Sequence, residues 1–246
     1  MLSKAQNKYI RSLTQQKYRK EHKAFVVEGD KMVREWLETG QEVQLIAATE
    51  KWASVHESLI NKLPTPTVYI IKEHELQAIS GLQTANQVLL VAAMPDELPI
   101  VWRKQWYIAL QDIQDPGNMG TIMRTADWFG IRDVICSQDC VDAYNPKVVQ
   151  AAMGSHLRIQ IHTADIGEVI KQSQLPAIAA VMNGANIYNI QPMEAGIIMI
   201  GNEGKGMTDK LISHATYKVT IPRKGGAESL NAGVATGILC SILTNK

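Results

Sequence analysis

Three stretches of the 246-residue chain place polar side chains where loops follow apolar runs, a setting suited to binding and proton chemistry. In the first, Asp115-Pro116-Gly117-Asn118 follows the strand-like Tyr107-Ile108-Ala109-Leu110 and opens a helix-like segment through Ile122, Ala126 and Phe129 that carries Arg124. An amide and a guanidinium thus stand just beyond the end of a strand. In the second, Ile197-Ile198-Met199-Ile200 reads as a buried strand, broken by Gly201-Asn202-Glu203-Gly204-Lys205-Gly206. Its three glycines permit close backbone approach to a ligand, although a plain turn has the same composition. In the third, Pro222-Arg223-Lys224-Gly225-Gly226 leads through Glu228-Ser229-Leu230-Asn231 into a small-residue apolar helix. Ser229 and Asn231 are strong capping types, so the free N–H groups of that helix either face a ligand or are simply capped.

In this order the stretches resemble the SpoU (TrmH) family of RNA 2′-O-ribose methyltransferases, within the SPOUT superfamily. The resemblance rests on Asp115 to Gly120 with Arg124-Thr125-Ala126, on Ile200 to Met207, and on Ile221-Pro222 with Glu228 to Asn231. Asn145-Pro146-Lys147-Val148-Val149 and Ala152-Met153-Gly154-Ser155 are similar to the family's intermediate helix. Ala152 stands where relatives often have serine, and Ala232-Gly233 where they often have bulkier or hydroxylic residues.

The resemblance implies an α/β fold: a C-terminal SPOUT domain (104–246) with a parallel sheet and a deep trefoil knot, preceded by a small L30e-like RNA substrate-binding domain (1–95). It implies S-adenosylmethionine as cofactor, bound at Gly201, Asn202, Gly204, Ile221, Ser229 and Leu230, and a catalytic set of Asn118, Arg124, Glu203, Ser229 and Asn231. A homodimer through the knotted domain is expected. The implied reaction is methylation of a ribose 2′-hydroxyl in structured RNA, with ribosomal RNA favoured. A tRNA 2′-O-methyltransferase and a catalytically silent RNA-binding homologue are the alternatives. Family proposals make the equivalent of Arg124 a base, but arginine side chains keep their proton in ordinary settings, so phosphate contact or alkoxide stabilisation is the competing role. Glu203 either orients Arg124 or Asn231 or is a surface turn residue. Lys205 meets phosphate or solvent; Trp102 and Trp106 stack bases or pack a seam.

Composition narrows the field further. No apolar run approaches the roughly 20 residues of a membrane helix, and the N-terminus lacks the apolar stretch of a signal peptide, so a cytoplasmic protein that meets no membrane is expected. Cys136, Cys140 and Cys240 are too few for a disulfide framework and no histidine spacing completes a zinc site, so the thiols read as reduced and no metal is expected. Neither a P-loop nor a full dinucleotide fingerprint occurs. Residues 1–24 hold seven basic residues against one acid, a segment of +6 that leaves −5 on the remainder of a +1 chain. That segment reads as an arm attracting phosphate or as a solvated helix face. Lys17, Arg19 and Lys20, with Arg124, are the RNA-binding candidates, and Arg19-Lys20 with Glu28-Gly29 also carry the likeness to the L30e-like domain.

These sites need elements to position them. Strands at 25–29, 43–48, 67–71 and 87–93 alternate with helices at 31–38, 52–62 and 73–80, and residues 94–99 read as a linker. Beyond it, strands near Ile108, Val134, Ile178, Ile198 and Val219 separated by helical stretches predict a parallel sheet covered on both faces. Ligands of such sheets bind beyond the carboxyl ends of the strands, where all three stretches fall.

Overall fold

The computed structural model describes residues 2–62 and 67–245, with the backbone alone at Thr67. The chain divides into two compact units, Met1–Asp96 with Tyr144–Leu157, and Glu97–Ala143 with Arg158–Lys246.

The first unit runs α1 (Lys4–Ser12), α2 (Gln16–His22), β1 (Ala24–Glu28), α3 (Asp30–Glu38), β2 (Val43–Ala48), α4 (Glu50–Val55), α5 (Glu57–Ile60), β3 (Thr67–Ile70), α6 (Glu73–Ile79) and β4 (Val88–Ala93). Its sheet has the order β1-β4-β2-β3, with β4 antiparallel to both neighbours and β2 parallel to β3. The β1 residues Ala24 to Glu28 are all buried, which an alternating pattern would not give, because apolar clusters lie on both faces of this sheet. The helix predicted at 52–62 breaks at His56, whose backbone leaves the helical region while its ring and the Trp52 indole both reach Asp30. Residues 144–157, which the sequence places among the second-domain motifs, fold with this unit: the Tyr144 and His156 rings pack on Phe25, and Val149 joins its core.

The N-terminal segment is no arm. It folds as α1 and α2, and it buries Leu2, Ile10 and Leu13 against Val26, Leu76 and Leu89. Arg19 is a correction of the same kind: it is 1% exposed, and its Nη1 donates to the Leu13 carbonyl at 2.8 Å. Leu13 is the C-cap of α1, where carbonyls lack helical partners and the dipole favours a cation, so Arg19 closes a helix and is not available to RNA. Deleting residues 1–24 is therefore expected to unfold the first unit. Three buried aliphatic side chains contribute about 5–9 kcal/mol, comparable to a whole domain's stability. Loss of its cooperative melting transition checks this; an unchanged transition would contradict it.

The second unit contains β5 (Trp106–Leu110), α7 (Pro116–Trp128) and β6 (Asp133–Cys136). After α8 (Pro146–Ala152), which belongs to the first unit, it resumes with β7 (Gln160–Thr163), α9 (Ile166–Ser173), β8 (Ala177–Asn186), β9 (Gly196–Ile200), α10 (Asp209–Ile212), β10 (Tyr217–Thr220) and α11 (Ala232–Leu243). Six strands form one parallel sheet in the order β10-β8-β9-β5-β6-β7. The expected α/β architecture is present. Strands β5 and β9 lie side by side at its middle, pairing Leu110 with Ile200, so their C-terminal loops leave the sheet together. Edge strand β7 is absent from the sequence reading because only four residues form it and two of them are exposed. No helix among the described residues is long and apolar enough to cross a membrane.

Candidate active site

The site begins with a helix cap. The Asp115 carboxylate accepts from Asn118 N at 2.7 Å and Pro116 occupies the first turn, where its missing N–H leaves nothing unpaired. This fixes Asn118 on the first turn of α7, where it is buried. Its side-chain amide then joins two other loops: Nδ2 donates to Glu203 Oε1 at 2.9 Å, and Oδ1 accepts from Asn231 Nδ2 at 2.6 Å.

Asn231 has two roles at once. Its Oδ1 accepts from Gly233 N and Val234 N at 2.9 and 3.2 Å, capping α11, while its Nδ2 holds Asn118. The capping and site readings of this residue thus coexist. Helix α11 packs against α7, and a Cβ at Gly233 would lie 2.7 Å from Thr121 Cγ2, so this approach requires glycine.

The loop carrying Glu203 is held from within. Asn202 Oδ1 accepts from Gly204 N and Lys205 N, both at 3.0 Å, and its Nδ2 donates to the Asp112 carbonyl at 2.7 Å. Gly206 N returns to Asn202 O at 2.9 Å. A Cβ at Gly201 would meet Gly206 C and Met207 N at 2.5 Å, so that glycine lets the loop close on itself. Asp112 has a left-handed backbone (φ 57°), held by Ser137 Oγ, which accepts from Asp112 N at 3.0 Å and donates to Asp112 Oδ1 at 2.7 Å. The sequence reading gave Asp112 and Ser137 no role. The signal it passed over was an aspartate two residues past a strand end, one of the few non-glycine types that tolerate this conformation.

Asn118, Glu203 and Asn231 therefore meet, whereas Arg124 and Ser229 do not join them. Both are exposed and neither makes a side-chain hydrogen bond or ion pair with a described residue. Arg124 lies six residues past Asn118, roughly 9 Å along the helix axis and on another side of it. Leu230 is 49% exposed, with Ile221 half-buried. Between Arg223 and Leu230 no backbone N–H donates to a described residue. Lys17 and Lys20 are exposed on α2. Trp102 packs on Tyr107 beside the core, in favour of the packing reading.

The remaining reactive groups are few. The interaction between the Cys136 and Cys140 thiols raises the Cys136 pKa and lowers that of Cys140 to about 7, whereas burial pushes Cys240 up to about 12. Among the described residues no three of His, Cys, Asp and Glu converge as a metal would need. Chemically, the site offers the amide N–H groups of Asn118 and Asn231, one carboxylate, and a loop of uncommitted backbone donors. Such a set positions and polarises oxygen.

Residues 105–241 match the SpoU rRNA Methylase family, and residues 4–90 match the MRM3-like substrate binding domain. The chain is 29% identical over 233 residues to the 23S rRNA (guanosine(2553)-2′-O)-methyltransferase RlmP of Bacillus subtilis (strain 168), covering 93% of this chain and 92% of that protein. The structure of a TrmH-family protein from Porphyromonas gingivalis superimposes with a TM-score of 0.85 at 34% identity over 98% of both chains. An AdoMet-bound rRNA methyltransferase from Sinorhizobium meliloti gives 0.87 at 27% identity over 98% of this chain and 95% of that one. With its three motifs joined through Asn118 and more than half its length matched by the family model, the chain belongs to the SpoU rRNA methylase family.

Proposed function

We propose that this protein methylates a ribose 2′-hydroxyl of ribosomal RNA with S-adenosylmethionine. The observation that carries the proposal is the Glu203–Asn118–Asn231 chain of hydrogen bonds, assembled from all three motifs. When bound, the cofactor supplies an electrophilic methyl carbon. The residues present fit it: the loop before α11 has uncommitted backbone N–H groups for the polar edge of adenosine, and Leu230 offers an exposed apolar wall. Gly201, Asn202, Gly204, Ile221, Ser229 and Leu230 would hold it, Asn202 through its backbone because its side chain shapes the loop.

Glu203 orients the Asn118 amide, and Asn118 in turn orients Asn231, so the remaining amide N–H groups are fixed toward the ribose. Arg124, exposed and with no side-chain hydrogen bond or ion pair to a described residue, meets an RNA phosphate or offsets the charge that develops as the 2′-oxygen loses its proton. Lys17 and Lys20 contact RNA phosphate from the first unit. Ribosomal RNA is favoured over tRNA because RlmP and the Sinorhizobium meliloti protein bear rRNA methyltransferase names. The cytoplasm, where ribosomal RNA is processed in bacteria, is the proposed location.

Binding is expected to need no metal. Calorimetry with S-adenosylmethionine in a chelator should give saturable heat; its absence at millimolar cofactor would remove the methyltransferase reading.

The same proposal includes a homodimer and a trefoil knot. For the knot, the support is the path of the chain, which leaves β9 mid-sheet, passes to edge strand β10 and returns through α11 against α7. For the dimer, Trp128 on α7 is 85% exposed and Val234 on α11 51% exposed, two apolar side chains that a second copy would bury. Trp128→Glu is expected to turn a dimer into a 27.2 kDa monomer in light scattering at micromolar concentration. A wild-type monomer would contradict the dimer.

A further inference from the structure

The first unit carries a groove of about 800 Å³ between α1, α2 and the end of α6 that none of the methyl-transfer chemistry uses. Its lining includes Lys8, Tyr9, Arg11, Tyr18 and His22. Tyr18 and His22 stand one turn apart on α2, their rings within 14° of parallel and 6.3 Å between centroids. His22 receives the Tyr9 ring edge-on at 5.0 Å, and Tyr9 is anchored by its hydroxyl, which donates to Gln44 Oε1 at 2.6 Å. Lys17 Nζ lies 5.7 Å from the Tyr18 ring centroid. Lys8 and Arg11 are exposed along α1, and neither side chain pairs with a described acid.

A solvated helix face accounts for the cations but not for three rings gathered among them. Rings held at a basic groove offer stacking faces, and cations beside them offer phosphate contacts, the combination by which single-stranded nucleic acid is held. Bases in a duplex keep their faces stacked on each other, so only an unpaired nucleotide presents a face to such a groove. We propose that this groove binds an unpaired nucleotide of the RNA substrate, with the base stacked on the Tyr18–His22 pair and the adjoining phosphates on Lys8 and Arg11. The proposal rests on the reading that the chain acts on RNA, and adds that the RNA must offer an unstacked base away from the methylated ribose.

The test uses the full chain, a short single-stranded RNA carrying a fluorescent adenine analogue, and a blunt RNA duplex of the same length. The wild-type chain should quench the analogue. Tyr18→Ala should weaken single-strand binding by about 5- to 150-fold, the range for losing one stacking ring. Duplex and S-adenosylmethionine affinities should stay unchanged, which shows that the variant is folded. Tyr18→Phe should retain binding, because it keeps the ring, and Lys8→Ala with Arg11→Ala should weaken single-strand binding and flatten its salt dependence. Equal loss for single strand and duplex in Tyr18→Ala, or no loss for either, would overturn the proposal. If binding is unaltered while the chain still methylates ribosomal RNA, the groove assignment alone falls. If the wild-type chain neither binds cofactor nor transfers methyl, the methyltransferase reading falls first.

Discussion

Replacing Arg124 by alanine is expected to slow methyl transfer by about 100- to 1,000-fold, the cost of removing one preorganised donor from a developing oxyanion, with cofactor affinity unchanged. Two observations separate the effects. The side chain is exposed and bonded to no described residue, so its removal should cost the fold no more than about 0.5 kcal/mol. It also lies outside the loops that would hold the cofactor. Arg124→Lys refines the result, because lysine keeps the charge but loses the planar fork of donors. Retained activity in that variant would mean that charge suffices; lost activity would mean that the geometry of the guanidinium matters. Single-turnover kinetics with the true RNA substrate makes the measurement, and near-normal turnover in Arg124→Ala would take this residue out of the mechanism.

Leu230→Arg should have the complementary defect, with binding of S-adenosylmethionine weakened by at least about 100-fold. Burying a cation against an adenosine face costs several kcal/mol, and each 1.4 kcal/mol is about tenfold in affinity. Because Leu230 is half exposed in the free chain, arginine there points into solvent and the fold should be preserved. Leu230→Ala gives a graded control: it loses part of the roughly 1.5–3 kcal/mol that burying a leucine contributes, so a drop of about tenfold is expected. Calorimetric titration of the three proteins is the check. Equal affinities would place the adenosine elsewhere.

The types of the site residues were legible in the sequence; their connections were not. Asn118 meets Glu203 85 residues away because β5 and β9 are neighbours, and meets Asn231 113 residues away because α11 packs against α7, neither of which local pattern specifies. The glycines of the 201–206 loop were legible as a demand for close approach, but at Gly201 what approaches is the loop's own returning backbone. Charge counting misread Arg19 for a related reason. It treats every cation as solvated, whereas the turn between α1 and α2 brings Arg19 back onto a carbonyl six residues earlier. The parallel sheet was legible from its buried apolar strands, and only the short edge strand β7 escaped.

The most direct test is to incubate the purified chain with ribosomal RNA and S-adenosylmethionine labelled on its methyl group, then hydrolyse the RNA in alkali. A 2′-O-methyl group blocks cleavage of the adjoining phosphodiester, so the label should appear in one alkali-resistant dinucleotide and vanish with Arg124→Ala. Label recovered only on free mononucleotides, or no label on RNA from a chain that binds the cofactor, would contradict ribose methylation.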